Sequence, residues 1–515
     1  MKNFGLFAVA LTLVLAACTG QDQSIVVSQS RSMAKMQMTV APLAEQQDEQ
    51  YLKVDPNPVK QVSQAPVSTF SADVDTTSYA VMRRYLQRDN ALPPSASVRV
   101  EEMVNYFDYD YPAAASADQP FKPTVWVTPS PWRDGAQLMH IGIKGYDLQP
   151  EHTPAVNFVF LLDVSGSMKA ANKLPLIKKS IKLMLKQMGP DDTVSIVVYA
   201  GAAGTVLEPT NATKIRKINK ALNALSAGGS TAGGEGIELA YSLAEENFEP
   251  EKINRIILAT DGDFNVGIHD PDQLEDLIVS KRDKGIYLTV LGVGDGNYND
   301  VIAQTLAQKG NGIAAYIDKL DEARKVLVRD FRSTVFPIAN DVKFQVEFNP
   351  AVVAEYRLIG YETRLLREED FNNDAVDAGD TGSGHTVTAI YEIVTVGSKA
   401  RQIDPSRYAD TLPPNKTQDE FAFVKLRYKV PGSDTSELIT YPVRVADAFQ
   451  SLEDAPKDAR FAAAVAAFGQ KMQRAEFTKA MSYKDIIALA DATKGSDTYG
   501  TRSEFVQLVR SAAAL

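Results

Sequence analysis

Four short, almost unbroken apolar runs, at residues 157–162, 193–199, 255–260 and 287–293, alternate with amphipathic helical patterns. Strands that lack polar alternation need cover on both faces, because every side chain they carry must be taken out of water. The pattern therefore predicts a doubly wound α/β layer built on a parallel sheet. Residues 173–189 are the clearest covering helix. Leu174, Ile177, Ile181, Leu185 and Met188 recur at three- and four-residue steps, while Lys178, Lys179, Lys182 and Lys186 lie mostly off that stripe. Those lysines read as a solvated face rather than a phosphate site.

Beyond residue 331 the pattern changes to two-residue alternation, at 342–348, 354–359, 386–396, 420–428 and 437–445, enough strands for a small sandwich. Two earlier stretches, 124–127 and 138–144, flank a Pro129-Ser130-Pro131-Trp132 turn and are expected to join it. Helical patterns occupy 79–87, 98–107 and most of the chain from 458 onward. The 515 residues thus divide into a leader (1–17), a flexible tether (18–65), a helical amino-terminal module (66–112), two strands of the later sandwich (121–150), the α/β domain (152–335), a β-sandwich (336–450) and a helical carboxy-terminal region (451–515). The fold class is multidomain α/β plus β. No period of about 20–50 residues recurs, so the chain is not a repeat array.

The leader has the order of a secretory signal: Met1-Lys2-Asn3, an apolar run at 4–15, then Ala16-Ala17. The run is shorter than the roughly 20 residues that a bilayer span needs. Leu15-Ala16-Ala17-Cys18 resembles the bacterial lipoprotein box. The resemblance implies cleavage before Cys18, acylation of its sulfur and new amino group, and stable membrane anchoring through several acyl chains. Thr19, where Asp would be the exception, implies the outer membrane of a bacterial cell envelope, facing the periplasm. Residues 19–64, rich in Gln, Ser, Val and Met, read as a leash with a mean reach of about 35–40 Å.

Acidic side chains outnumber basic ones, 65 to 54, for a formal charge of −11. That balance argues against a nucleic-acid partner, whose phosphates call for a basic surface. Cys18 is the only cysteine, which excludes an internal disulfide, a Cys-ligated zinc site and an iron–sulfur cluster. His140, His152, His269 and His385 show no metal-ligand spacing and read as surface or structural residues. Chemistry must then rest on carboxylates, hydroxyls and backbone, donors that suit hard cations.

In open parallel sheets, ligands sit beyond the carboxyl ends of the strands. There the polar residues converge. Residues 158–162 run into Asp163-Val164-Ser165-Gly166-Ser167-Met168, and 256–260 run into Asp261-Gly262-Asp263. Between them lies Gly228-Gly229-Ser230-Thr231-Ala232-Gly233-Gly234, a hydroxyl-bearing loop opening a helix. Asp163, Ser165 and Ser167 alternate, so one extended turn can aim all three at a point that Thr231 and Asp261 can also reach. Two carboxylates and three hydroxyls form an oxygen cage of low charge suited to Mg²⁺, which leaves the cation electrophilic toward one further carboxylate.

This set resembles the metal-ion-dependent adhesion site of von Willebrand factor A (VWA) domains: Asp-x-Ser-x-Ser, a distant Thr, then Asp-Gly. The resemblance implies Asp163, Ser165, Ser167, Thr231 and Asp261 as metal ligands, the hydroxyls direct and the aspartates often through water. It implies Mg²⁺, with Mn²⁺ or Ca²⁺ possible in its place, and a partner's Asp or Glu completing the shell. Ser230 stands beside Thr231 as the alternative hydroxyl, and Asp263 is an extra carboxylate without a defined role. Residues 69–84, 98–107, 261–267, 292–300 and 385–389 further resemble a bacterial lipoprotein subfamily. Its members carry the A domain between an amino-terminal module and a carboxy-terminal domain of unknown function.

Other motifs fail on inspection. An EF-hand starting at Asp73 would need Gly and Glu where Ser78 and Arg84 stand, and Asp75 reads as a helix cap. Asn297 replaces the last glycine of a dinucleotide fingerprint at Gly292, Gly294 and Gly296, so no nucleotide is expected. Asp370, Asp374, Asp377 and Asp380 read as a solvated acidic loop rather than a calcium site. No Walker A sequence, nucleophile elbow or zinc-protease helix occurs. The expected function is a membrane-tethered recognition or adhesion module, not an enzyme, for an envelope or extracellular protein presenting Asp or Glu. A metal-dependent hydrolase and a structural scaffold of an envelope complex are the alternatives.

Overall fold

The computed structural model describes residues 49–200, 202–228, 234–262, 271–404 and 418–515. The apolar runs pair side by side as one sheet. Its order is Ala314–Ile317, Ile286–Val293, Ile253–Thr260, Val156–Asp163, Thr193–Tyr199 and Ala203–Asn211. Neighbours run parallel except for the Thr193–Tyr199 and Ala203–Asn211 edge pair, which is antiparallel. Strand period two divides the central strand between two cores. Phe158, Phe160 and Leu162 belong with Ile177, Ile181 and Leu174 on one face, whereas Val159 and Leu161 belong with Ile237, Tyr241 and Ile278 on the other.

The alternating segments form two antiparallel sheets around a second core. One runs Lys60–Gln61, Val353–Ile359, Thr386–Thr395, Ala136–Lys144, Thr124–Pro129. The other runs Leu365–Leu366, Val67–Ser71, Pro337–Phe348, Glu420–Lys429, Ser436–Arg444, with Gly379–Gly382 also paired to Pro337–Phe348. Phe70, Phe344, Phe348, Tyr356 and Tyr391 fill the core between them, with Phe70 stacked on Phe344 at 5.2 Å. The carboxy-terminal helices Lys457–Met472, Tyr483–Thr493 and Thr501–Ala514 share a further core with the amino-terminal helices Thr77–Arg84 and Val100–Val104. Phe107, Phe461 and Phe505 meet edge to face there. No helix among the described residues is long and apolar enough to cross a membrane.

Several expectations are corrected. Residues 49–65, expected within the tether, are packed: Val62 is buried, Lys60–Gln61 pairs with Tyr356 and Glu355, and Glu49 binds Arg84 at 2.5 Å. The amino-terminal module is not purely helical, because Val67–Ser71 lies inside a sheet, between Pro337–Phe348 and Leu365–Leu366. Asp75 is not a helix cap. It is buried, accepts from the Ala314 N–H at 2.9 Å and pairs with Arg364 at 3.1 Å, and the cap position itself is Thr76. The segment that closes the α/β domain is not one continuous helix: it divides into Leu320–Arg324, a π-helical turn at Lys325–Arg329, and Phe331–Val335.

Candidate metal-binding site

Val156–Asp163 is buried along its whole length and delivers Asp163, fully enclosed, to the carboxyl edge of the sheet. The chain leaves in a short turn, Gly166–Lys169, whose Met168 is fully buried in the core beneath. With Met168 as anchor, the three polar residues around it converge. The Ser165 N–H donates to Asp163 Oδ1 at 2.8 Å, and the hydroxyl oxygens of Ser165 and Ser167 lie 2.9 Å apart. Asp163 and Ser165 are buried while Ser167 is exposed, so a carboxylate lies at the floor and a hydroxyl at the mouth.

Asp261 comes from the next strand. Ile253–Thr260 pairs in parallel with Val156–Asp163, and Asp261, one residue further, is fully buried. Glycine is required after it: Gly262 has φ +107°, and a Cβ there would stand 2.2 Å from the Asn297 carbonyl oxygen. Asp261 Oδ2 accepts from the Lys173 ammonium at 2.8 Å, which also reaches Asn297 Oδ1 at 3.4 Å. Asp261 Oδ1 is buried and has no hydrogen-bond partner among the described residues. Both carboxylates act on Tyr199, the register partner of Asp163. Burial, then the Asp163 charge, pushes its phenol well above the ordinary range.

The third segment approaches from the far side, where the Gly228 N–H donates to the Val164 carbonyl at 2.8 Å. Further on, Gly236 lets the helix Gly234–Glu246 cross Tyr199, whose Cβ would lie 2.8 Å from a methyl there. Thr231, its neighbour Ser230, Asp263 and the lipidation candidate Cys18 lie outside the described residues. The structure therefore brings Asp163, Ser165 and Ser167 together and places Asp261 at the adjoining strand end.

These donors fit a hard divalent cation. Two buried carboxylates and two hydroxyls supply only oxygen, and one buried oxygen of Asp261 has no hydrogen-bond partner among the described residues. Among the described residues no group of three or more His, Cys, Asp or Glu is placed to hold a metal. In the acidic loop at 368–384, Asp370 pairs with Arg367, Asp374 accepts from Ser436 and Asp377 pairs with Arg282, while Asp380 is not solvated as expected: burial pushes it up to about 7. His140 is buried on Ala136–Lys144, where burial lowers it to about 3, a neutral core residue.

Sequence reasoning missed Lys173, Tyr199 and Asn297. Lys173 did carry a signal: it stands four residues before Ile177 and so in line with the apolar stripe, where a charge must find a partner. Tyr199 and Asn297 carry none, being an aromatic at a strand end and an amide in a turn.

An Asp-x-Ser-x-Ser turn and an Asp-Gly turn at neighbouring ends of a parallel sheet define a VWA-type protein. The family described as von Willebrand factor type A domain matches residues 157–328, that described as von Willebrand factor matches 45–140, and that described as uncharacterized protein YfbK, C-terminal, matches 333–515. The chain is 44% identical over 470 residues to uncharacterized protein YfbK of Escherichia coli (strain K12), covering 90% of this chain and 80% of that one. It belongs to the YfbK family of VWA-containing bacterial proteins.

A more distant relative is uncharacterized protein sll0103 of Synechocystis, 25% identical over 292 residues, 56% of this chain and 65% of that one. Among solved structures, a von Willebrand factor type A protein from Catenulispora acidiphila superposes with a TM-score of 0.42 at 16% identity, covering 77% of this chain and 91% of that one. VWA domains generally serve protein–protein interaction or adhesion rather than catalysis, and they commonly hold a divalent metal at this edge.

Proposed function

We propose that this protein is a lipid-anchored recognition module of the bacterial cell envelope, at the outer membrane facing the periplasm, that captures an Asp or Glu side chain of another envelope or extracellular protein. Asp163, Ser165, Ser167, Thr231 and Asp261 would hold Mg²⁺, which when bound supplies an electrophilic coordination position to the incoming carboxylate. The observation that carries this reading is the convergence of Asp163, Ser165 and Ser167 on one turn, at a strand end adjoining that of Asp261, whose buried Oδ1 has no hydrogen-bond partner among the described residues. The surroundings favour an acidic partner. Lys169, Lys178, Lys179 and Lys182 rim an apolar groove that begins at Met168, directly after the serines. Lys178 and Lys182 donate only to the Leu225 carbonyl, the Asn223 carbonyl and the Asn223 side chain, and none of the four pairs with a carboxylate among the described residues. Membrane anchoring rests on Cys18 and the small residues before it.

The test is a pulldown from envelope extract with Mg²⁺ or with chelator, using wild type and Asp163→Ala. A partner is expected with wild type in Mg²⁺ alone, while Asp163→Ala keeps the wild-type circular dichroism spectrum. Capture at full strength in chelator would exclude a cation-dependent mechanism.

A further inference from the structure

The ammonium of Lys173 is built into the site rather than resting on it. It donates to Asp261 Oδ2 at 2.8 Å and, less closely, to Asn297 Oδ1 at 3.4 Å. Lys173 is 8% exposed and Asp261 not at all. Its stem crosses Gly294, where a Cβ would stand 2.3 Å from Cε, 2.8 Å from Cγ and 2.9 Å from Cδ. Only glycine meets that requirement together with φ +81°. The loop carrying Gly294 is itself fixed: Asp295 accepts from Asn172 at 2.8 Å and the Gly296 N–H donates to Glu49 at 3.0 Å. The ammonium thus takes one oxygen of Asp261 and leaves the other, buried and unpartnered among the described residues, for the site.

We propose that Lys173 tunes this site for carboxylate capture by cancelling the charge of Asp261. The inference rests on the cation-dependent reading above and adds what sets its selectivity. A divalent ion facing Asp163 and Asp261 alone is neutralised, so an arriving carboxylate would make the cluster anionic. With the Lys173 charge counted, the ion and its surroundings keep one net positive charge, and the arriving carboxylate completes neutrality. In a buried cluster that difference is weakly screened, so it weighs on binding far more than a surface charge does. Lys173 therefore weakens the hold on the bare cation and strengthens the hold on the external carboxylate. Those two effects have opposite sign.

Calorimetric titration of the whole protein with Mn²⁺, with and without saturating acetate, separates them. Lys173→Met is expected to bind Mn²⁺ alone at least about tenfold more tightly than wild type and to lose most of the tightening that acetate gives wild type. Lys173→Arg, which keeps the charge, is expected to behave like wild type, and Lys173→Gln serves as the neutral variant should Lys173→Met fail to fold. A lysine that merely fills space would alter stability in all three without this opposed pair of changes. Neutral variants with wild-type Mn²⁺ affinity, or with an undiminished acetate effect, would overturn the inference while leaving the cation site standing. Wild type that takes up no Mn²⁺ would overturn both.

Discussion

Glu49 illustrates how a single carboxylate reaches the site from outside it. It accepts from Arg84 at 2.5 and 2.6 Å, from Tyr51 at 2.8 Å and from the Gly296 N–H at 3.0 Å, and so fixes the loop whose Asn297 touches Lys173. Burial works against its charge, yet Arg84 and the Gly296 amide hold its pKa down at about 2. A carboxyl lowered on folding contributes stability that is complete above its unfolded value and is lost as pH falls through the folded one. Glu49→Gln is therefore expected to cost about 2–4 kcal/mol at neutral pH, since it leaves the buried Arg84 with only the more distant Asp89 carboxylate, at 3.5 Å. The gap to wild type should close between about pH 5 and pH 2, the window bounded by the two pKa values. Urea denaturation at pH 7 and pH 3 reads both numbers. None of this was legible in the sequence, where Glu49 falls in a polar stretch without period. Asp163, Ser165, Ser167 and Asp261 were legible because strand ends in a parallel sheet are the one place where short polar motifs after apolar runs must gather.

At the scale of elements, the turn at Gly166–Lys169 and the turn at Gly262 decide whether the site exists. Gly262→Ala meets both an unfavourable φ of +107° and the Asn297 carbonyl at 2.2 Å. It is expected to destabilise the protein by at least about 2 kcal/mol and to weaken Mn²⁺ uptake, because Asp261 is displaced with it. Thermal unfolding and Mn²⁺ titration of the variant measure the two effects; wild-type values for both would mean that the loop yields freely. The apolar stripe beginning at Leu174 was readable, and the helix Leu174–Met184 follows it. Its end was not: Leu185–Gln187 tightens into a 3-10 turn, and Met188 leaves the helix. Periodicity reports which face is buried, not where α geometry changes pitch. The same limit hides the π-helical turns at Tyr85–Asp89 and Lys325–Arg329, the second of which is spanned by the Lys325–Asp330 pair.

Across the whole molecule, the amino-terminal module acts as a clamp. Arg99 is buried between Asp300, at 2.7 Å, and Glu102. Arg83 binds Asp318, Glu322 at 2.7 Å and Glu504 at 3.0 Å, tying the A domain to the last helix. Val67–Ser71 meanwhile completes a sheet with Pro337–Phe348. Sequence patterning separated these parts because local periods carry no record of strands that pair across hundreds of residues, whereas the fold class itself, a parallel sheet with added antiparallel sheets, followed from the periods alone. Arg99 and Arg83 thus fasten the A domain at Asp300 and Asp318, which follow two of its strands, and the carboxyl edge of that sheet is the proposed seat of a divalent cation. Calorimetric titration of the whole protein with Mg²⁺ tests that most directly. One site per chain is expected for wild type, with uptake abolished in Asp163→Ala; no heat for wild type, or equal uptake by the variant, would contradict it.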